Sequence, residues 1–143
     1  MIPGRVSVVT VGAYDVRALR RFYESLGWQS SSPDSDEFAA FPLGGAVFTT
    51  YRMDLLAAES HSPAPPRDAF RGVTLAVNVE REEMVAEAID AARAAGAEIR
   101  AEPVKRDWGG VSAYFADPEG NVWEVAWLPG ATFDERGALV WPY

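Results

Sequence analysis

The chain has 143 residues, with no cysteine and a single histidine, His61. The absence of cysteine excludes disulfides, thiolate nucleophiles, and zinc or iron–sulfur sites built on cysteine. No stretch reaches the roughly 18 consecutive apolar residues that a membrane span needs. The first residues, Met1 to Arg5, run into a predicted strand without the apolar segment of a signal peptide. We therefore expect a cytoplasmic protein with no membrane partner.

Basic residues are also scarce, at 13 Lys and Arg against 21 Asp and Glu, for a formal charge of −8. An acidic chain repels nucleic acid unless it carries a local basic stripe. The densest basic groups are Arg17, Arg20 and Arg21 on one predicted helix, and Lys105 with Arg106. Charge on an exposed helix face is the usual pattern of a solvated surface. We expect no nucleic-acid partner.

What is present is the composition of a globular protein, with 48% hydrophobic and 24% charged residues. A chain of this length buries about two thirds of its unfolded surface, which is enough for a core without crosslinks. We predict a single domain over residues 1–143. It consists of a first module at about 5–52, a linker at 53–71, a second module at 72–128 and a C-terminal tail at 129–143.

The first module begins with a β-branched strand at residues 6–13, followed by Asp15 as the N-cap of a helix. The helix carries an apolar stripe that includes Leu19 and Phe22, and it ends at Gly27. Short strands are predicted at 28–31, 37–41 and 46–51. The linker starts as a helical turn at 53–59 and then becomes too rich in proline for regular structure.

The same order of elements restarts after the linker. A strand is predicted at 72–79, a helix at 82–95 that stops at Gly96, and three strands at 98–103, 111–116 and 122–127. Between the last two strands, Asp117 to Gly120 reads as a tight hairpin with a bulge, with glycine in the positive-φ position.

The two halves align by hand, with Val9-Thr10-Val11 on Val73-Thr74-Leu75, an offset of 64. The repeated unit is βαβββ, which predicts an α+β protein made of two such modules. Two units are too few for a solenoid, which needs at least about three repeats. An α+β sandwich with accidental similarity between its halves stays open as an alternative.

Two segments carry a resemblance to a known family. The segment Phe22 to Trp28 (FYESLGW) resembles the "FYxxLGW" that closes the first helix in the glyoxalase, bleomycin-resistance and extradiol-dioxygenase superfamily, also called vicinal oxygen chelate. The segment Tyr114 to Val125 is similar to the closing "F-x-DPxGNxxE" hairpin of that superfamily. The resemblance covers nearly all of residues 5–128. It implies that the modules form an incomplete barrel around a central cavity.

In this family a divalent metal is often held by residues of the first and last strand of each module. The resemblance places Val8 and Gly72 at the first-strand positions, and Thr49 and Glu124 at the last-strand positions. Zinc typically takes three or four His, Cys or carboxylate ligands, and only Glu124 qualifies. His61 lies in the linker and is expected to be an exposed loop residue. We therefore predict no metal site and no cofactor.

The cavity that the resemblance implies would have polar groups on apolar walls. The candidate ligand-binding residues are Thr10, Thr49, Tyr51, Thr74, Trp108 and Glu124. Glu124 is also a candidate catalytic acid or base, because a carboxylate on an apolar strand needs a partner or a proton. Each residue has a structural alternative. The threonines are common strand residues, Trp108 can fill a barrel end, and Glu124 can pair with Arg52 or Arg106.

Three functions remain open at this point. The first is a metal-independent member of the superfamily that binds a small organic molecule, either to sequester it or to transform it. The second is a metal-dependent lyase, isomerase or dioxygenase of the glyoxalase type whose ligand set is completed by water and substrate. The third is a non-catalytic interaction module. Open strand edges and the aromatic tail predict a homodimer, the usual arrangement in the family.

Overall fold

The computed structural model describes residues 1–142, so Tyr143, the last residue of the predicted tail, lies outside the described residues. The chain divides into two compact units. Unit 1 contains residues 1–64 with 135–138, and unit 2 contains residues 65–134 with the segment from Leu139 onward. The main division, between Ala64 and Pro65, falls within the predicted linker.

Unit 1 is built on a three-stranded sheet with two helices. Its elements are β1 (Val8–Ala13), α1 (Val16–Ser25), β2 (Phe38–Pro42), β3 (Val47–Arg52) and α2 (Met53–Ser60). The strand order is β1-β3-β2, with β1 parallel to β3 and β2 antiparallel to it. The sheet is therefore open at β1 and at β2.

Helix α1 forms as its sequence predicts. The Asp15 carboxylate accepts a hydrogen bond from the Ala18 amide at 2.9 Å, which satisfies one of the free N–H groups at the helix start. Gly27 has φ 92°, the left-handed conformation that ends the helix. The apolar stripe buries Tyr23 completely, and its ring packs against Phe48 of β3 at 4.9 Å between centroids.

The predicted strand at 28–31 is wrong, because this segment forms no regular strand. Ser31 N donates to Ala40 O at 2.9 Å, which is the hydrogen bond expected if this segment paired with β2. The reciprocal bond is missing, because Ala40 N donates to the Ser32 hydroxyl at 3.0 Å and not to a backbone carbonyl. Serine hydroxyls compete with the backbone for its partners, and Pro33 supplies no N–H. Unit 1 is therefore βαββ.

Unit 2 contains the complete βαβββ order. Its elements are β4 (Thr74–Asn78), α3 (Glu83–Ala94), β5 (Glu98–Lys105), β6 (Val111–Ala116), β7 (Val122–Trp127), β8 (Thr132–Phe133) and β9 (Leu139–Val140). The main sheet has the order β4-β7-β6-β5, with β4 parallel to β7, while β8 and β9 form a separate two-stranded sheet. The predicted α+β class is confirmed, and both main sheets are open, as an incomplete barrel requires.

Helix α3 covers one face of the unit 2 sheet. Its buried residues include Val85 and Ile89, and its contacts are with β5, β6 and β7. The buried Phe115 and Trp123 lie opposite each other on β6 and β7, on the covered face. Strand alternation places the neighbouring positions on the other face. Within the described chain, none of the helices is long and apolar enough to cross a membrane.

The hairpin between β6 and β7 is held by Asp117. Its buried carboxylate accepts from the backbone amides of Glu119 and Asn121, and from the Asn121 side chain, each at 2.9 Å. Gly120 has φ 83°, so the predicted positive φ is confirmed. The hairpin fixes the register of the two strands, with Ala116 opposite Val122.

Candidate functional site

In unit 1 two predicted ligand-binding hydroxyls bond to each other. Thr10 and Thr49 are opposite one another on β1 and β3, and their Oγ1 atoms are 2.7 Å apart. Thr49 is only 4% exposed, and its hydroxyl also lies 3.4 Å from the Val9 carbonyl oxygen, to which it donates. These bonds satisfy the Thr49 hydroxyl within the sheet, which favours the structural alternative for this residue.

Tyr51 lies two residues further along the same face of β3. Its ring makes an edge contact with Phe38 of β2, at 6.3 Å between centroids. Burial raises the pKa of the Tyr51 hydroxyl, and the Glu59 carboxylate adds to this through its negative charge and a hydrogen bond. The half-buried Tyr51 side chain is therefore neutral around neutral pH.

In unit 2, Thr74 and Glu124 lie on the face of the sheet that α3 does not cover. Glu124 is opposite Ala76, and Thr74 is opposite Val122. This register corrects the alignment of the two halves. If Thr49 corresponds to Glu124, then Thr10 corresponds to Ala76, an offset of 76 − 10 = 66 rather than 64. A slip of two residues keeps every side chain on its face, so the predicted facing is unaffected.

Tyr114 was not among the predicted site residues, yet it is the cross-strand neighbour of Glu124. Tyr114 on β6 lies directly opposite Glu124 on β7. A signal for it was present in the hairpin. Once Ala116 is placed opposite Val122, a step of two residues along each strand pairs Tyr114 with Glu124 on one face.

Ser112 and Arg106 extend the polar row that Tyr114 and Glu124 form on this sheet face. The Arg106 Nε donates to the Ser112 hydroxyl at 2.8 Å, and Ser112 lies two residues from Tyr114 along the same face of β6. Burial raises the pKa of Tyr114, and the charge and hydrogen bond of Glu124 raise it further, against smaller opposing effects of Arg106 and Ser112. Arg52 and Arg106 were the two arginines considered as partners of Glu124. Arg106 donates to Ser112, and Arg52 pairs with Asp54 and Glu37.

Unit 2 also contains a cavity of about 810 Å³ beside this row. Its lining includes Arg67, Phe70, Thr74, Arg100, Tyr114 and Val122. Tyr114 thus belongs to both features, since it lines the cavity and lies directly opposite Glu124, which is not itself in the lining. Pockets that bind small molecules have about 300–1,000 Å³ and a few convergent polar groups, so the cavity has the size and character of a ligand site.

Trp108 lies on the loop between β5 and β6 and does not line this cavity. The loop is a tight turn, closed by a hydrogen bond from Arg106 N to Gly110 O at 2.9 Å. The Trp108 ring rests on Gly110, where any Cβ would overlap the ring and the Trp127 carbonyl oxygen. Half of Trp108 remains exposed, at 49%, so its role in ligand binding stays a prediction.

The residues at the four positions of the family's metal site do not fit a metal. The corrected offset of 66 makes Thr74, rather than Gly72, the counterpart of Val8. Val8 has no donor side chain, Thr74 and Thr49 offer only neutral hydroxyls, of which that of Thr49 is bonded within unit 1, and Glu124 alone is a carboxylate. Across residues 1–142, no group of three or more His, Asp or Glu side chains could hold a metal ion. His61 is exposed, as predicted, and ends α2 in the left-handed conformation with φ 51°. This donor set gives no basis for a metal-dependent step.

Comparison with known proteins identifies the family. Residues 5–125 match the model of the Glyoxalase/Bleomycin resistance protein/Dioxygenase superfamily. A glyoxalase-related enzyme from Fulvimarina pelagi is 28% identical, with 99% of this chain and 100% of that chain covered and a TM-score of 0.89. A glyoxalase/bleomycin resistance protein/dioxygenase from Nocardioides is 26% identical, with 91% and 87% covered and a TM-score of 0.76.

A lactoylglutathione lyase from Agrobacterium tumefaciens shares the fold at 20% identity, with 87% of this chain and 94% of that chain covered and a TM-score of 0.68. No functionally curated protein matches the chain. The match over residues 5–125, which spans both units, together with the βαβββ order of unit 2, shows that this protein belongs to the Glyoxalase/Bleomycin resistance protein/Dioxygenase superfamily.

Proposed function

We propose that this protein binds a small organic molecule without a protein-bound metal, and that the cavity of unit 2 is its binding site. The observation that carries the proposal is the position of Tyr114, which lines a cavity of about 810 Å³ and lies directly opposite Glu124 across β6 and β7. Apolar wall atoms from Phe70 and Val122 stand beside polar groups from Thr74 and Tyr114. This combination is typical of sites that bind and orient a small ligand.

Glu124 is the residue we propose to act on the ligand. It is half-buried and lies directly opposite Tyr114, a residue of the cavity lining. A positioned carboxylate can accept or return a proton when a ligand offers one at hydrogen-bonding distance. The proposal therefore covers sequestration of a ligand and, for a ligand with a labile proton, acid–base chemistry by Glu124.

The test begins with mass spectrometry of small molecules that copurify with the protein. The ligand found is then titrated by calorimetry against the wild type, Glu124→Gln and Glu124→Ala, with melting curves to verify folding. We expect Glu124→Ala to weaken binding by about 1–3 kcal/mol, the value of a lost hydrogen bond to a charged group. Glu124→Gln should retain the fold and lose any proton transfer. Equal affinity of the ligand for all three proteins would show that Glu124 has only a structural role.

We also propose a homodimer in the cytoplasm. The strands β1 and β4 are the edges of their sheets, and apolar residues at or beside them are exposed, among them Val8 at 52% and Val73 at 62%. Exposed edge strands are usually covered by another chain or segment. Light scattering over micromolar concentrations should give twice 15.6 kDa, and a monomer would contradict the dimer. Cell fractionation tests the location.

A further inference from the structure

One wall of the unit 2 cavity is an irregular segment of the chain. Residues 65–72, which we call the lid, form neither helix nor strand, and they contribute Arg67 and Phe70 to the cavity lining. The turn between β6 and β7, from Asp117 to Gly120, forms another part of the lining. The lid passes close to this turn, since a Cβ added at Gly120 would lie 3.6 Å from the Arg67 carbonyl oxygen. The lid and the turn therefore meet beside the cavity.

The lid has no anchor in the hydrophobic core. None of residues 65–72, all of which the structure describes, is buried, and Phe70 is 64% exposed. The hydrogen bond from Ala69 N to Pro66 O, at 3.2 Å, closes a turn within the lid itself. Gly72 has φ 73° and open space around it, so the backbone can rotate at this end of the lid. Segments with few buried apolar contacts open while the rest of the fold stays intact.

Arg71 attaches the lid to the turn between β6 and β7. Its Nη1 donates to the Asn121 side-chain oxygen at 2.8 Å, and the Asn121 side-chain nitrogen donates to the Asp117 carboxylate at 2.9 Å. The same carboxylate accepts from the backbone amides of Glu119 and Asn121. The acceptor of Arg71 is therefore held in place by the turn.

This attachment leaves two other donors of Arg71 without partners. Its Nε and Nη2 atoms are buried, and neither has a hydrogen-bond partner within residues 1–142. Removing the donors of a charged group from water without replacing their bonds costs free energy. Opening of the lid would return both donors to water and would break one bond, to Asn121. The buried donors therefore bring the open position of the lid closer in free energy to the closed one.

We infer that residues 65–72 are a lid that opens and closes at the unit 2 cavity, and that the hydrogen bond from Arg71 to Asn121 holds it closed. The use of the lid, which is to admit a ligand to the cavity, rests on the proposed function. Arg71 is not in the cavity lining. It is a positioning residue, because it acts through the segment that carries Arg67 and Phe70.

The test measures opening of the lid without a ligand. NMR of the ¹⁵N-labelled full chain follows the exchange of the Arg71 Nε–H with water. The Nε–H of Arg21, on an exposed side chain of α1, is the reference in the same spectrum. We expect Arg71 to exchange at least about tenfold more slowly than Arg21, since opening breaks a hydrogen bond of a charged group. It should still exchange faster than the buried amides of β6 and β7, which require unfolding of unit 2.

Variants at Asn121 test the bond itself. Asn121→Ala removes the acceptor of Arg71 and should speed the Nε–H exchange about tenfold or more. Asn121→Asp is the matched control, because it keeps an oxygen for Arg71 but loses the nitrogen that donates to Asp117. We expect it to retain the slow exchange. Asn78→Ala removes a side-chain bond to the Ala126 carbonyl in the same sheet and should have no effect.

The outcomes distinguish a lid from a fixed wall. Exchange of Arg71 as fast as that of Arg21 would show that the lid is not closed, and exchange as slow as that of the β6 and β7 amides would show that it does not open on its own. Either result overturns the inference, as does equal acceleration in Asn121→Ala and Asn121→Asp. The proposed function is tested separately, by the molecules that copurify. The comparison within the wild type does not depend on the folding of any variant.

Discussion

Tyr114 on β6 and Glu124 on β7 lie directly opposite each other, on the sheet face that α3 leaves uncovered. Partial burial and the neighbouring Glu124 carboxylate raise the pKa of Tyr114, which lines the cavity of unit 2. The effect of Glu124 on Tyr114 can therefore be tested by titrating the tyrosine hydroxyl.

We expect Tyr114 to ionise above the ordinary tyrosine pKa of about 10, because burial and Glu124 both raise its pKa. Below that pH the hydroxyl is protonated in the folded and unfolded chains, and its contribution to stability is complete. As pH rises through the window up to the raised folded pKa, the unfolded chain ionises first, and the free energy of unfolding falls.

The measurement is an ultraviolet pH titration of tyrosinate absorbance in the wild type and in Tyr114→Phe. The chain has five tyrosines, so the difference between the two curves isolates Tyr114. In Glu124→Gln the same ionisation should move to lower pH, because the negative neighbour is lost. A Tyr114 ionisation at the ordinary value would contradict the pairing.

The purified protein is expected to carry no stoichiometric transition metal. Three of the four positions that hold the metal in the family are occupied here by Val8, Thr49 and, with the corrected offset between the halves, Thr74, and zinc typically takes three or four His, Cys or carboxylate ligands. Elemental analysis after expression in metal-supplemented medium and dialysis provides the check. Retention of about one equivalent of zinc, nickel, manganese or iron would contradict this prediction.

Gly120→Val should lower the free energy of unfolding by more than about 1 kcal/mol. Gly120 has φ 83°, and a β-branched residue is strained in that region. Gly4→Val is the matched control, since Gly4 has open space around it and is not among the positive-φ glycines. Urea unfolding of both variants measures the effect. An equal midpoint for Gly120→Val and wild type would contradict it.

Neighbouring threonines on β3 should respond in opposite directions to replacement by valine. Thr50 is fully buried, and its hydroxyl has no hydrogen-bond partner within residues 1–142. Because valine has nearly the same shape and no unsatisfied hydroxyl, Thr50→Val should raise the free energy of unfolding by roughly 1 kcal/mol.

Thr49→Val should instead lower the free energy of unfolding by about 0.5–1.5 kcal/mol, because it removes the bonds to Thr10 and to the Val9 carbonyl. Calorimetric melting of both variants at one pH makes the comparison. Destabilisation of similar size by both substitutions would show that the Thr50 hydroxyl is satisfied in solution.

Local signals in the sequence predicted much of the fold. Asp15 as a helix cap, Gly27 as a helix end and Gly120 in its turn all follow from the conformational preferences of single residues, and each is observed. The strand predicted at 28–31 does not form because the Ser32 hydroxyl accepts the Ala40 amide, which a strand pairing would have bonded to backbone. The strand propensity of residues 28–31 does not determine whether a side-chain hydroxyl or the backbone bonds to a given amide.

The candidate site was predicted less completely than the fold. Glu124 and Thr74 were predicted to share one sheet face, and the register of β4 and β7 has them on one face, because strand alternation is a local rule. Tyr114 was missed, because its importance comes from the residue opposite it and therefore from the register of the hairpin. The offset between the halves was in error by two residues for a related reason, since a slip of two leaves the pattern of faces unchanged.

The hairpin at Asp117 also has a consequence for the order in which unit 2 folds. Ala116 and Val122 are six residues apart, whereas Ala76 and Glu124, which pair β4 with β7, are 124 − 76 = 48 apart. Closing the longer loop costs about 2 kcal/mol more in chain entropy, so we expect β6–β7 to pair first. Stopped-flow refolding of Gly120→Val should then be slowed, and an unchanged refolding rate would contradict that order. Until β4 arrives, β7 presents an unpaired edge, and this is the interval in which a nascent chain is most exposed to aggregation.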